Sequence, residues 1–203
     1  MKIIGLTGGI ASGKNFVAEI FAQNGAAVFD ADFEVHQLFA SDKSVIAAVM
    51  KNFPDSFVEG KIERKILGKI VFSDAKKLEI LEKILHPKVR EKYQEFLANA
   101  QKSKKKIAVL NIPLLLETQG YKCDKIVAIV ASPSIQKRRF LARHKKTTAT
   151  EKKNLEKKFE QIRSKQISNS ERKSGADFVV NSGGSKRFTV EQVEKIIKTV
   201  SSR

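Results

Sequence analysis

Apolar residues fall in five short continuous runs, with helical spacing between them. Ile3-Ile4-Gly5-Leu6 within Lys2 to Thr7, Ala26 to Phe29, Lys106 to Ile112, Lys125 to Ala131 and Ala176 to Asn181 read as strands. The third run is apolar throughout, the pattern of a strand covered on both faces. After the first run, Phe16, Val17, Ile20 and Phe21 predict a helix to about Gln23, closed by Asn24-Gly25. Strand, helix and strand between Lys2 and Phe29 make a βαβ unit, with parallel strands and a right-handed crossover.

From about Ser41 to Lys102 only helical patterns occur: Ser44 to Phe53, Ile62 to Phe72, Ala75 to Leu85, and Pro87 to Ala100, with a turn at Asn52 to Gly60. That stretch is too long for one crossover helix and predicts a helical insert over 41–103 between core segments 1–40 and 104–203. Pro87 suits the first turn of a helix and is expected to separate the last two. Ser132-Pro133 starts another helix with a cap and a proline. A highly charged helix from about Thr150 to Lys165 follows, and Thr189 with Gln192 as a capping box is expected to open the last one.

The first strand leads directly into Gly8-Gly9-Ile10-Ala11-Ser12-Gly13-Lys14-Asn15. Gly-x-x-x-x-Gly-Lys between a strand and a helix cradles phosphate, because the loop N–H groups and the helix N-terminus turn inward and Lys14 reaches the β and γ phosphates. The residue after the lysine is usually Ser or Thr, a Mg²⁺ ligand, and here it is Asn15, whose amide oxygen is a neutral substitute. The second strand delivers Asp30-Ala31-Asp32 to the same expected edge. Successive side chains on a continuing pleat point apart, so the two carboxylates are read as having different jobs; capping the next helix is an alternative for either. The third strand ends in Asn111, where many phosphate-loop enzymes place an Asp of the Mg²⁺ shell.

Composition narrows the class. With 41% apolar and 30% charged residues the chain reads as a globular protein. No apolar run approaches the roughly 18 residues of a membrane span, and the glycine-interrupted start is too short for a signal peptide, so a cytoplasmic protein without a membrane partner is expected. Cys123 is the single cysteine, which excludes an intrachain disulfide. The formal charge is +17, from 39 Lys and Arg against 22 Asp and Glu. A solvated lysine-rich face is the first reading, steering of polyphosphates the second and nucleic acid the least favoured, because Lys102-Ser103-Lys104-Lys105-Lys106 and Lys152-Lys153 contain no aromatic.

One ordered series runs along nearly the whole chain. It comprises Leu6-Thr7-Gly8-Gly9-Ile10 into Ser12-Gly13-Lys14, Asp30-Ala31-Asp32, Arg64 with Phe72, Leu85-His86-Pro87 and Ile112-Pro113-Leu114-Leu115-Leu116-Glu117. Ser132-Pro133 with Gln136 and Arg139, Arg163 with Gln166, Ala176-Asp177 and Asn181-Ser182-Gly183 complete it. In this order and spacing it resembles the dephospho-coenzyme A kinase family.

The resemblance implies a P-loop NTPase-type three-layer α/β/α fold with a five-stranded parallel sheet, a helical substrate-binding insert and a helical lid over about 138–170. It implies transfer of the ATP γ-phosphoryl group to the ribose 3′-hydroxyl of dephospho-coenzyme A, with Mg²⁺. Carried over by position, Asp32 is the general base, acting with Lys14. ATP is assigned to Gly9, Ile10, Ala11, Ser12, Gly13, Lys14, Asn15 and Phe16, with Arg139, Arg143 and Arg163 in the lid. The acceptor is assigned to Thr7, Asp32, Arg64, His86, Leu114, Leu115 and Glu117, and the metal to Asn15. Ala11, Asn15, Phe16 and Asn111 depart from the usual pattern, which reads Gly, Ser or Thr, Thr, and often Asp. The alternatives are a kinase for another small nucleotide or alcohol, or a non-catalytic nucleotide- or nucleic-acid-binding protein.

Overall fold

All five apolar runs become strands, because continuous Ile, Val, Leu and Ala can be covered on both faces of a parallel sheet. The structure, a computed structural model, describes residues 1–113, 115–116, 120–144 and 148–202. Its elements run β1 (Lys2–Gly8), α1 (Lys14–Gln23), β2 (Ala27–Asp30), α2 (Ala31–Ser41), α3 (Lys43–Asn52), β3 (Phe57–Val58), β4 (Lys61–Ile62), α4 (Arg64–Phe72) and α5 (Ala75–Lys102). They continue with β5 (Ile107–Asn111), β6 (Lys125–Val130), α6 (Pro133–Ala142), α7 (Ala149–Ser164), α8 (Asn169–Ser174), β7 (Phe178–Asn181) and α9 (Lys186–Ser201). Five strands form one parallel sheet in the order β2-β5-β1-β6-β7. No helix among the described residues is long and apolar enough to cross a membrane.

The chain divides into two compact units, 1–29 with 100–203, and 30–99. In the first, Ile4 and Leu6 of β1, Val109 of β5, Val127 and Ile129 of β6 and Val180 of β7 pack with Val17 and Phe21 of α1 and Val193 and Ile196 of α9. Each such aliphatic side chain taken from water contributes roughly 1.5–3 kcal/mol. A smaller cluster joins Ala11 to Phe140 of α6 and Phe159 of α7, whose rings meet at 5.6 Å. Asp124 accepts the Ile3 N–H at 2.7 Å, and Asp177 accepts the Ile126 N–H at 2.8 Å and pairs with Lys125. Burial, with the Asp124 carboxylate adding to it, pushes the Cys123 thiol up to about 11, which keeps it an inert thiol at neutral pH.

The second unit departs from expectation in two places. First, α5 is one helix from Ala75 to Lys102 with Pro87 inside it, not two helices broken there. The ring removes one hydrogen bond to the Lys83 carbonyl, but Lys83 and Pro87 are both exposed, so water replaces the lost donor. Second, 52–60 is not a plain turn before a helix: β3 and β4 form a two-residue hairpin pairing Phe57 with Ile62 and Val58 with Lys61. Its turn, Glu59-Gly60, has φ of 49° and 77°, the left-handed pair that suits the strand twist.

In the first unit, Thr189 does not open the last helix. Ser185 caps α9 by accepting the Phe188 N–H, Thr189 is buried within it, and Gln192 binds the Asn181 backbone N–H and carbonyl.

Lys125 and then the Ile126 N–H hold the Asp177 carboxyl below its ordinary range. A depressed carboxyl contributes stability that is fully present above the unfolded value, about pH 4, and is lost as pH falls through the folded one. The pair is partly exposed, so the expected loss in Asp177→Asn at pH 7 is about 1 kcal/mol, or about 2–4 °C in Tm. Thermal unfolding from pH 7 to pH 3 should show the gap between variant and parent closing below about pH 4.

Candidate active site

Strand register sets the position of the glycine-rich loop. Leu6 lies opposite Asn111 of β5 and Gly8 opposite Ile129 of β6, so the loop leaves the carboxyl edge between two covered strands. Gly8 cannot carry a side chain, since a β-carbon there would stand 2.5 Å from Ser12 Oγ. The loop then passes through two left-handed residues, Ala11 at φ 54° and Gly13 at φ 93°. Gly13 adopts this freely, whereas Ala11 costs about 1 kcal/mol.

Four carbonyls of this loop are tied up. Gly9 O accepts from Ser12 N–H at 3.1 Å, Ile10 O from Gln136 Nε2 at 2.9 Å, and Gly13 O from Val17 N–H at 3.2 Å. Ser12 O accepts from Arg139 Nη1 at 3.3 Å and from Ser182 Oγ. Lys14, Asn15 and Phe16 open α1, where N–H groups have no acceptor inside the helix, and the cap Gly13 has no side chain to offer one. First-turn amides, the helix dipole and the Lys14 ammonium together favour an anion.

Arg139 also donates through Nη2 to Ser182 O at 2.6 Å, joining the loop to the end of β7. Beside it lies a cavity of about 180 Å³ lined by Gly13, Phe16, Arg139, Ser182, Gly184 and Lys186. Lys186 Nζ stands 5.7 Å from the centre of the Phe16 ring. Asn111 Nδ2 donates to Asn15 Oδ1 at 3.3 Å, a contact that follows from the Leu6–Asn111 register. Among the described residues no group of three or more His, Cys, Asp or Glu is placed to hold a metal ion. On the other side of β1, Thr7 Oγ1 accepts from Arg172 Nη1 at 2.7 Å, with both residues fully buried.

The family model for dephospho-CoA kinase matches residues 2–187. This chain belongs to the dephospho-CoA kinase family. A dephospho-CoA kinase from Bartonella quintana is 43% identical over 201 residues, 98% of each chain. Among solved structures, a Thermus thermophilus protein superposes with a TM-score of 0.82 at 27% identity, covering 98% of this chain and 96% of the other. Dephospho-CoA kinase from Campylobacter jejuni gives 0.68 at 27%, covering 100% and 98%. The kinase family makes the chain an ATP-dependent enzyme of coenzyme A biosynthesis.

Against this family the expected site residues sort by place. Gly9, Ile10, Ala11, Ser12, Gly13, Lys14 and Asn15 form the loop and the start of α1. Phe16 packs partly against the core and partly lines the cavity. Arg139 braces the loop, Arg143 ends α6 exposed, and Arg163 on α7 pairs with Glu160 at 3.1 Å. Thr7 is engaged by Arg172, and buried Leu115 lies so close to Gly5 that a β-carbon there would meet it at 2.4 Å. Leu114 and Glu117 lie outside the described residues.

Within the second unit, Asp30 Oδ1 caps α2 by accepting the Phe33 N–H at 3.0 Å, while exposed Asp32 sits in the first turn. Arg64 Nη1 donates to His36 Nδ1 at 2.9 Å, which leaves the His36 proton on Nε2. His86 lines an open groove on α5 with Lys83, Pro87 and Arg90. Sequence reasoning gave no role to Ser182, Arg172, Lys186 or His36. Ser182 alone carried a signal, its place in Asn181-Ser182-Gly183; the others look like surface residues in one dimension.

Replacing Arg139 by Met should cost about 2 kcal/mol and lower Tm by about 4–8 °C, because the charged donor to two carbonyls is lost. Arg139→Lys should fall between, since one ammonium cannot reproduce the two-pronged guanidinium contact. Differential scanning calorimetry of the three proteins checks the order.

Proposed function

We propose that this chain transfers the γ-phosphoryl group of ATP to the ribose 3′-hydroxyl of dephospho-CoA, with Asp32 as the base. The observation that carries this reading is the loop whose Gly9, Ile10, Ser12 and Gly13 carbonyls face protein donors and which leads straight into the N-terminus of α1 with its Lys14. Ser12 Oγ supports it: this buried hydroxyl has no hydrogen-bond partner among the described residues, and a phosphate oxygen would supply one. The cavity lined by Phe16, Arg139 and Lys186 suits the nucleoside end of ATP.

The hydroxyl oxygen forms a bond to the γ phosphorus, the bond from that phosphorus to the β–γ bridging oxygen breaks, and the hydroxyl proton passes to an Asp32 carboxylate oxygen. ADP leaves with the bridging oxygen. Lys14 and the α1 amides spread the charge on the equatorial and bridging oxygens. Arg143 and Arg163 close over the nucleotide as a helical lid within about 138–170, and the helical insert over 41–103, with Arg64 and His86, holds the acceptor.

The donor set fits Mg²⁺ only as a partner of the nucleotide. Asn15 and Asn111 offer neutral amide oxygens, and among the described residues no group of three or more His, Cys, Asp or Glu is placed to hold a metal ion, so the charge would come chiefly from phosphate. Asn15 is the residue that would hold it, and Mg²⁺ bound there would neutralise charge on the phosphate oxygens.

ADP release measured with and without dephospho-CoA tests the reading: ATP binding without acceptor-dependent turnover would overturn it. Asp32→Asn should lower kcat about 10²- to 10⁴-fold while the Kd for ATP stays within about twofold, as expected of a group acting in the transition state. Asn111→Asp should create measurable Mn²⁺ binding in the nucleotide-free protein, seen by electron paramagnetic resonance, where the parent shows none.

A further inference from the structure

The two peptides flanking Ile10 are held from outside the loop by two glutamines used in opposite senses. Gln136 of α6 donates through Nε2 to Ile10 O at 2.9 Å, and Gln166, just beyond α7, accepts the Ile10 N–H through Oε1, also at 2.9 Å. Both press on Gly9, where a β-carbon would stand 3.0 Å from Gln136 Nε2 and 3.4 Å from Gln166 Oε1. Ile10 is followed by Ala11, whose left-handed φ of 54° is a strained state for a residue with a side chain. Ala11 is in turn buried under Phe140 and Phe159, which come from the helices that bring the two glutamines.

The residue type matters as much as the contact. Ile10 O needs a donor, which a carboxylate at position 136 would not provide. Its N–H needs an acceptor, which a carboxylate at 166 would provide together with negative charge beside a loop that takes a polyphosphate. A glutamine at each position supplies the bond without the charge.

We infer that Gln136 and Gln166 are positioning residues for the phosphoryl donor. They fix the orientation of the peptides on either side of Ile10, hold Ala11 in its left-handed state, and keep the loop shaped for phosphate before ATP arrives. The inference rests on the reading of this loop as the ATP site.

Gln166→Met removes the acceptor at similar volume, and Gln166→Glu keeps the acceptor and adds charge. Isothermal titration with ATP, ADP and AMP, steady-state kinetics and Tm are measured for both, for Gln136→Met and for the parent. Loss of one hydrogen bond is expected to weaken ATP binding about five- to tenfold in either Met variant, with the KM for dephospho-CoA within about twofold. In Gln166→Glu the penalty should grow with phosphate number, largest for ATP and smallest for AMP, and shrink at high salt. Unchanged ATP affinity in both Met variants would overturn the inference. So would an equal loss for all three nucleotides in Gln166→Glu, or a fall in Tm alone, since a merely structural role predicts those. If the parent itself fails to bind ATP, the reading of the loop falls and the inference falls with it.

Discussion

The phosphate loop depends on where its own carbonyls go. A peptide offers a donor and an acceptor in equal number, so a loop can present N–H groups to an anion only if its C=O groups are satisfied elsewhere. Here Ser12 N–H serves Gly9, Gln136 serves Ile10, Arg139 and Ser182 serve Ser12, and the helix serves Gly13. Each bond stabilises by only about 1 kcal/mol, but together they hold a left-handed alanine in place and fix which face of the loop is donor-rich.

The family's usual residues are altered at several points around this scaffold, and the alterations have local answers. Asn15, in the first turn of α1, and Asn111, at the end of β5, bond to each other, so the two substitutions form one contact. Phe16 finds the core on one side and Lys186 on the other. Ala11 has Phe140 and Phe159 over its methyl group. Neutral amides stand at positions 15 and 111 while the loop keeps its shape.

The parallel sheet was legible because its strands are continuous apolar runs, and the phosphate loop because glycines and a lysine at fixed spacing have few other uses. Helix ends were less legible. Thr189 and Gln192 have the spacing of a capping box, but Ser185 lies one turn earlier, and burial of Thr189 decides between them. Pro87 reads as a stop, yet an exposed position in a long helix lets water answer for the lost hydrogen bond. The role of Arg172 was invisible: an arginine in a short polar helix reads as surface, and only the fold sets it, fully buried, against Thr7. Pairings such as Gln136 with Ile10 join residues far apart in the chain, which local pattern does not record.

That distance bears on the order in which the site is built. Gln136, Arg139, Gln166, Arg172 and Ser182 all follow the loop by more than a hundred positions, so the loop leaves the ribosome before any of them. Until those residues have been made, the Ile10 N–H and the Ile10 and Ser12 carbonyls have only water for partners. The nucleotide site is therefore finished only after its supports: its motif is written well before them, so nucleotide affinity reports completion of the nucleotide-binding unit.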